Sequence, residues 1–197
     1  MNVKLLAACM IAALLSAPAC TVPRVAPLPQ TIRRIAVLPP FQHGQTDAGA
    51  PAAVAGLPSR TIGDLLAEQA IRRLTEKGFD VVAPGLVQAA TKNRPPTSAQ
   101  SAAQIMREAH LDAAPLFINV RRWQPAMSGM KTDAVIVALD ITIVDPSSGA
   151  VLWEARRPSR PVPLYGAMLT GQANMFAAEA VMRELLESVE PRAPSLP

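Results

Sequence analysis

Few side chains in this sequence could do chemistry. Its 197 residues hold two histidines, His43 and His110, and two cysteines, Cys9 and Cys20. Neither histidine has a cysteine, aspartate or glutamate at metal-ligand spacing, and a metal site needs three or four ligands at one point. His43 lies in a stretch rich in Gly, Gln and Ala, and His110 closes an expected helix, where the helix dipole favours a histidine. Asp140 and Glu154 fall on neighbouring expected strands and could pose as paired carboxylates for acid–base work. With Arg121 and Arg156 in the same strands, cross-strand ion pairs are the expected arrangement. No glycine-rich phosphate loop follows a strand, and neither a Gly-x-Ser-x-Gly elbow nor a cysteine nucleophile is present. The expectation is a protein without catalysis, metal or cofactor.

Cys20 is different because of what precedes it. Residues 1–19 read Met-Asn-Val-Lys, then an apolar run from Leu5 to Leu15, then Ser16-Ala17-Pro18-Ala19, the three regions of a secretory signal peptide. The apolar run is too short for the roughly 20 residues of a bilayer span. A cysteine directly after such a site resembles a bacterial lipobox, in which lipidation with fatty chains such as palmitate makes that cysteine the mature N-terminus. Ala17-Pro18-Ala19 also fits ordinary Ala-x-Ala cleavage, which would release a soluble periplasmic protein. Cys9 leaves with the signal, so Cys20 has no disulfide partner in an oxidising compartment, and acylation gives the thiol a role. Thr21 stands where Asp would retain a sorted lipoprotein, so that resemblance implies the outer membrane.

Composition bounds the rest. Half of the residues are apolar and 17% are charged, which supports one domain with a real core. The net charge of +4 is too mild to argue for nucleic acid. Residues 20–31 hold Cys20 and a proline-rich tether, some 30 Å long at about 3.1 Å per residue. Residues 32–190 are the expected domain, and the proline-rich residues 191–197 an expected disordered tail.

Within the domain, Ile35-Ala36-Val37-Leu38 before Pro39-Pro40 reads as a buried central strand, followed by a long loop over 42–58. Ile62, Leu65, Leu66, Ala70 and Leu74 recur at helical spacing between a Thr61/Asp64 capping start and a Gly78 stop, which predicts a helix over 61–77. Phe79 to Ala83 is a second strand, parallel to the first because it is reached by a crossover. Shorter helices are expected over 85–92 and 99–109. Three strands then follow over 116–122, 133–145 and 151–157, the last pair joined by Pro146-Ser147-Ser148-Gly149, so they form an antiparallel meander. Val135, Val137, Leu139, Ile141 and Ile143 should face the helices. A final helix over 171–189 carries an apolar stripe of Ala173, Phe176, Ala177, Ala180, Val181, Leu185 and Val189. The order βαβααβββα makes a single α/β domain with a mixed five-stranded sheet and helices packed on it.

Several of these segments together resemble one superfamily. They are Ile-Ala-Val-Leu-Pro-Pro-Phe (Ile35 to Phe41), Gly-Phe-Asp-Val-Val (Gly78 to Val82), Asp112 to Ala114, and Val-Asp-Pro-Ser-Ser-Gly-Ala-Val-Leu-Trp (Val144 to Trp153). The superfamily includes the N-terminal domain of TolB, the curli-secretion lipoprotein CsgG, the polysaccharide-export lipoprotein PelC, and LpoB. The resemblance spans most of residues 32–189, and its motifs are structural, so it implies fold more than function. It implies an accessory of envelope assembly, secretion or export that faces the periplasm from a lipid anchor, works through a protein partner and is able to form homo-oligomers. A peptidoglycan-associated or synthase-regulating lipoprotein, and a soluble periplasmic binding module, are the alternatives.

A candidate partner surface follows from the meander. Its first and third strands run the same way, so their C-terminal ends share an edge. Arg121, Arg122, Lys131, Arg156, Arg157 and Arg160 are expected there, with two apolar loops, 123–130 and 161–169. Trp123, Met127 and Met130 in the first, and Leu164 and Tyr165 in the second, complete an interface composition. Burial of Trp123 would mark the loops as core cover; contiguous exposure would mark an interface.

Overall fold

Ile35, Ala36, Val37 and Leu38 are all buried, and alternate residues enter two different cores. The first three belong to β1 (Arg34–Val37) and Leu38 follows directly, and only a strand covered on both faces has use for an unbroken apolar run. The computed structural model describes residues 27–42, 60–92, 94–129 and 131–193. Cys20, the signal peptide, His43, Met130 and the end of the tail lie outside the described residues.

Pro39 and Pro40 end β1 because neither offers an amide hydrogen to a ladder. The chain then makes a short strand that the sequence did not announce, β2 (Phe41–Gln42), parallel to the fourth strand at Asn119 and Val120. Helix α1 (Ile62–Glu76) opens with the expected capping box: the Thr61 hydroxyl accepts from the Asp64 amide at 3.1 Å, and the Asp64 carboxylate accepts from the Thr61 amide at 2.9 Å. Gly78, at φ +82°, turns the chain into β3 (Asp80–Val81), which lies parallel to β1 as expected. Helices α2 (Pro84–Thr91) and α3 (Ala99–Glu108) follow, the second capped by Ser98.

The meander is β4 (Ala114–Ser128), β5 (Lys131–Val144) and β6 (Val151–Met168), each antiparallel to its neighbour. The sheet order is β3-β1-β4-β5-β6, with β2 beside β4, giving six strands where five were expected. Helix α4 (Thr170–Leu186) crosses one face of the meander beside α1, and α2 and α3 cover the other face at the β1 end. Val135, Val137, Leu139, Ile141 and Ile143 have no exposure and form the main core, as the alternation predicted.

Two expectations fail here for physical reasons. Residues 123–130 and 161–169 are not loops; most of each continues a strand. Among the described residues β4 has no neighbour on its outer side beyond Val120 and β6 is an edge, the positions where a sheet tolerates prolines such as Pro125, Pro158, Pro161 and Pro163. Phe176 is not in the buried stripe of α4 but is half exposed. The helix is turned so that Asn174, Ala178 and Met182 pack inward with Ala173, Ala177 and Val181.

Candidate interaction surface

Two irregularities in strand pairing decide where the candidate residues point. In β4, Val120 pairs with Leu139 and Arg122 with Ala138, so Arg121 is an extra residue. One added residue reverses the alternation, so Trp123, which would otherwise face outward, enters the core at 3% exposure. Its indole N–H donates to Asn174 Oδ1 of α4 at 3.0 Å, which explains a buried asparagine on that helix. Trp123 is therefore part of the core and leaves the set of partner contacts.

The second irregularity lies in β6. Leu139 pairs with Arg157 and Val137 with Arg160, so β6 holds one more residue than β5 there. Arg157 follows Trp153 and Ala155 onto the helix side and is 3% exposed. Its Nη1 donates to the carbonyls of Val137 at 2.6 Å and Arg160 at 2.9 Å, while Nε pairs with Glu184 of α4 at 3.3 Å. Burial lowers the Arg157 pKa from its ordinary value, and Glu184 opposes the shift. Arg160 also pairs with Glu184. These two arginines tie the bulge to α4, and Arg157 in particular is no free cation for a partner.

The other arginines lie on the opposite, outer face. Arg121 Nε meets Asp140 at 3.0 Å, a cross-strand ion pair as expected from sequence, whereas Arg156 meets Glu154 at 3.6 Å within its own strand. Asn119, Asp140 and Arg156 stand side by side across the three strands. Arg122 donates to Gln124 and Ser159 along the same face. Lys131 sits at the hairpin turn, about 30 Å along β5 from Asp140 at about 3.4 Å per residue. The expected basic edge is thus dispersed over two faces and the length of the arm.

The apolar candidates do converge, at the far end of the arm. Tyr165 is 97% exposed and Met127 54%, and Leu169 just before α4 is 64% exposed. Leu164 packs partly on the core. Met127 pairs with Thr132, whose hydroxyl lies 3.1 Å from that of Thr170, so this end of the sheet abuts the start of α4. Met175 and Phe176, half exposed on α4, add apolar surface that the sequence reading assigned to the core or overlooked. Periodicity alone could not find them, because the indole–asparagine bond sets the rotation of α4.

His110 is an exposed helix stop with φ of 52°, and among the described residues no group of three His, Cys, Asp or Glu could hold a metal. A groove of about 500 Å³ between α1, α4 and β6 is lined by charges of both signs, and its buried cation, Arg157, is already held by the Val137 and Arg160 carbonyls and by Glu184. Among the described residues no helix is long and apolar enough to cross a membrane.

The described residues thus form an α/β domain extended by a long three-stranded arm. Comparisons with solved structures find the same kind of fold. The structure is similar to the PelC dodecamer of Paraburkholderia phytofirmans, with TM-score 0.55 and 19% identity, covering 86% of this chain and 97% of that one. It is also similar to lipoprotein GNA1162 of Neisseria meningitidis, with TM-score 0.45 and 21% identity, over 78% of this chain and 98% of that one. The C-terminal domain of LpoB from Salmonella enterica follows, with TM-score 0.41 and 13% identity, over 71% and 86%. At these identities the likeness is one of fold, and it is the fold that the sequence resemblance implied. No family model and no curated protein matches the sequence.

Proposed function

We propose that this chain is a noncatalytic lipoprotein, anchored through Cys20 to the periplasmic face of the outer membrane. It serves envelope assembly or export through protein–protein contacts, including contacts between its own copies. The observation that carries the reading is a signal-and-cysteine motif in front of a domain with the PelC fold. PelC itself is a dodecamer, which supports self-association here. The contact surface in this reading is the distal end of the arm, with Tyr165, Met127 and Leu169 as anchors and Lys131 at the hairpin turn as a rim charge.

The test is the mass of the detergent-extracted protein, with cross-linking before extraction, for the wild type, Tyr165→Ala and Lys131→Glu. A truncated aromatic anchor commonly costs about 2 kcal/mol or more and should weaken association at every salt concentration. Reversing a rim charge acts mainly on encounter and should lose its effect as salt rises. A wild type that is monomeric at all concentrations and cross-links to no envelope protein would overturn the proposal.

A further inference from the structure

The last described residues do not trail from the domain. Arg192, in the expected tail, is only 5% exposed, and its guanidinium reaches back across the chain to the start of the domain. Nε donates to the Ile32 carbonyl at 3.0 Å, and Nη2 to the carbonyls of Pro29 at 2.9 Å and Leu28 at 3.3 Å. The guanidinium lies over the Phe79 ring, 4.7 Å from its centre, which suits a cation drawn partly out of water. Desolvation lowers the Arg192 pKa from its ordinary value, so this burial needs compensation from the carbonyls and the ring.

The backbone around it is fixed as well. The Arg192 amide donates to the Lys77 carbonyl at 2.7 Å, and the Lys77 ammonium donates to the Val189 carbonyl at 2.6 Å. Gly78 is required at this crossing: a Cβ there would lie 2.6 Å from the Arg192 carbonyl oxygen. On the other strand of the crossing, Gln30 donates to Glu190 at 2.7 Å, and Leu28 is buried in the main core. Among the described residues, every side-chain hydrogen bond joining residues 28–32 to the rest of the domain involves Glu190 or Arg192.

We infer that Glu190 to Arg192 form a clamp that folds residues 28–32 onto the domain and fixes where the chain toward Cys20 leaves it. The sequence assigned Leu28 to Thr31 to a tether and Arg192 to a tail. With the clamp closed, the exit point is Leu28, eight peptide steps from Cys20, a reach of at most about 28 Å. With it open, the exit moves to Arg34 at the start of β1 and the reach becomes at most about 49 Å. The exit also has a direction. β1 runs parallel to β4 from Ile35 opposite Ala114, so the clamp lies at the β1 end and the hairpin end of the arm lies some 45 Å away at about 3.3 Å per residue. The effect on membrane distance rests on the anchor reading above; the clamp itself does not.

The experiment is amide hydrogen exchange on the full chain in detergent, which reads the clamp whether or not Cys20 carries lipid. Arg192→Ala removes the guanidinium, and Gly78→Ala displaces the same crossing without touching it. In both variants the amides of residues 28–33 should exchange at least tenfold faster than in the wild type, while those of β4 and β5 keep their protection. Arg192→Lys, which keeps the charge but cannot reach three carbonyls from one planar group, should fall with Arg192→Ala. Unchanged protection of 28–33 in Arg192→Ala would overturn the clamp. Equal acceleration across the whole domain would overturn it too, because Arg192 would then support the fold at large.

Discussion

Replacing Arg157 by leucine tests whether the phase of β6 is held as described. Leucine keeps an apolar stem in the same space but has no donors. Two carbonyls, those of Val137 and Arg160, then lose donors that now lie at 2.6 and 2.9 Å. Each buried acceptor left unpaired costs about 1–3 kcal/mol. Glu184 adds little to the loss, because it is 39% exposed and keeps Arg160 as a partner. For the two acceptors together the expected total is about 2–6 kcal/mol. Urea unfolding is the assay: with a slope of about 2 kcal/mol per molar, the midpoint should fall by about 2 M with the slope unchanged. Glu184→Gln is the control, expected to cost below about 1 kcal/mol because that side of the pair is open to water. An Arg157→Leu midpoint within about 0.3 M of the wild type would refute the assignment of Arg157 as the group that satisfies the bulge.

Trp123→Phe leaves Asn174 Oδ1 buried without the indole donor and should destabilise the domain by about 1–3 kcal/mol in thermal or urea unfolding; Trp123→Ala should cost about 3–5 kcal/mol and reduce soluble yield. Asp145 is held below its ordinary pKa, first by the Ser147 hydroxyl and then by the amides of Ser148 and Ser147. A depressed carboxyl contributes stability above its unfolded pKa of about 3.9 and loses it as pH falls through the lower folded value, so Asp145→Asn should differ in pH response from the wild type only below about pH 5. Melting temperatures compared at neutral and acid pH read that difference.

Much of the fold was legible because its signals are local. The Thr61/Asp64 cap, the Gly78 stop, the unbroken Ile35 to Leu38 run and the alternation from Val135 to Ile143 each depend on a few neighbouring residues. The turn after Asp145 was legible for the same reason, its carboxylate accepting from the Ser147 amide at 2.7 Å. The candidate surface was less legible because it depends on phase. A single extra residue, Arg121 in β4, turns Trp123 inward, and another in β6 puts Arg160 on the side of Arg157, away from Arg156. Neither bulge carries a glycine to announce it. The length of the arm was hidden by prolines that only edge strands tolerate, and edge position is a property of the whole sheet. The role of Arg192 was hidden by distance, since its partners lie some 160 residues away in sequence. Tyr165 and Met127 were found from composition alone and remain exposed, although in a strand and not a loop.

The anchor is the claim on which the proposed function depends, and one measurement addresses it: the membrane fraction and N-terminal mass of the wild type beside Cys20→Ser. The account predicts that the wild type is extracted only by detergent, with an N-terminal Cys20 carrying fatty acyl mass, and that the serine variant appears in the soluble periplasmic fraction with its domain folded. A wild type that is already soluble, with an unmodified cysteine or a cut elsewhere, would contradict it.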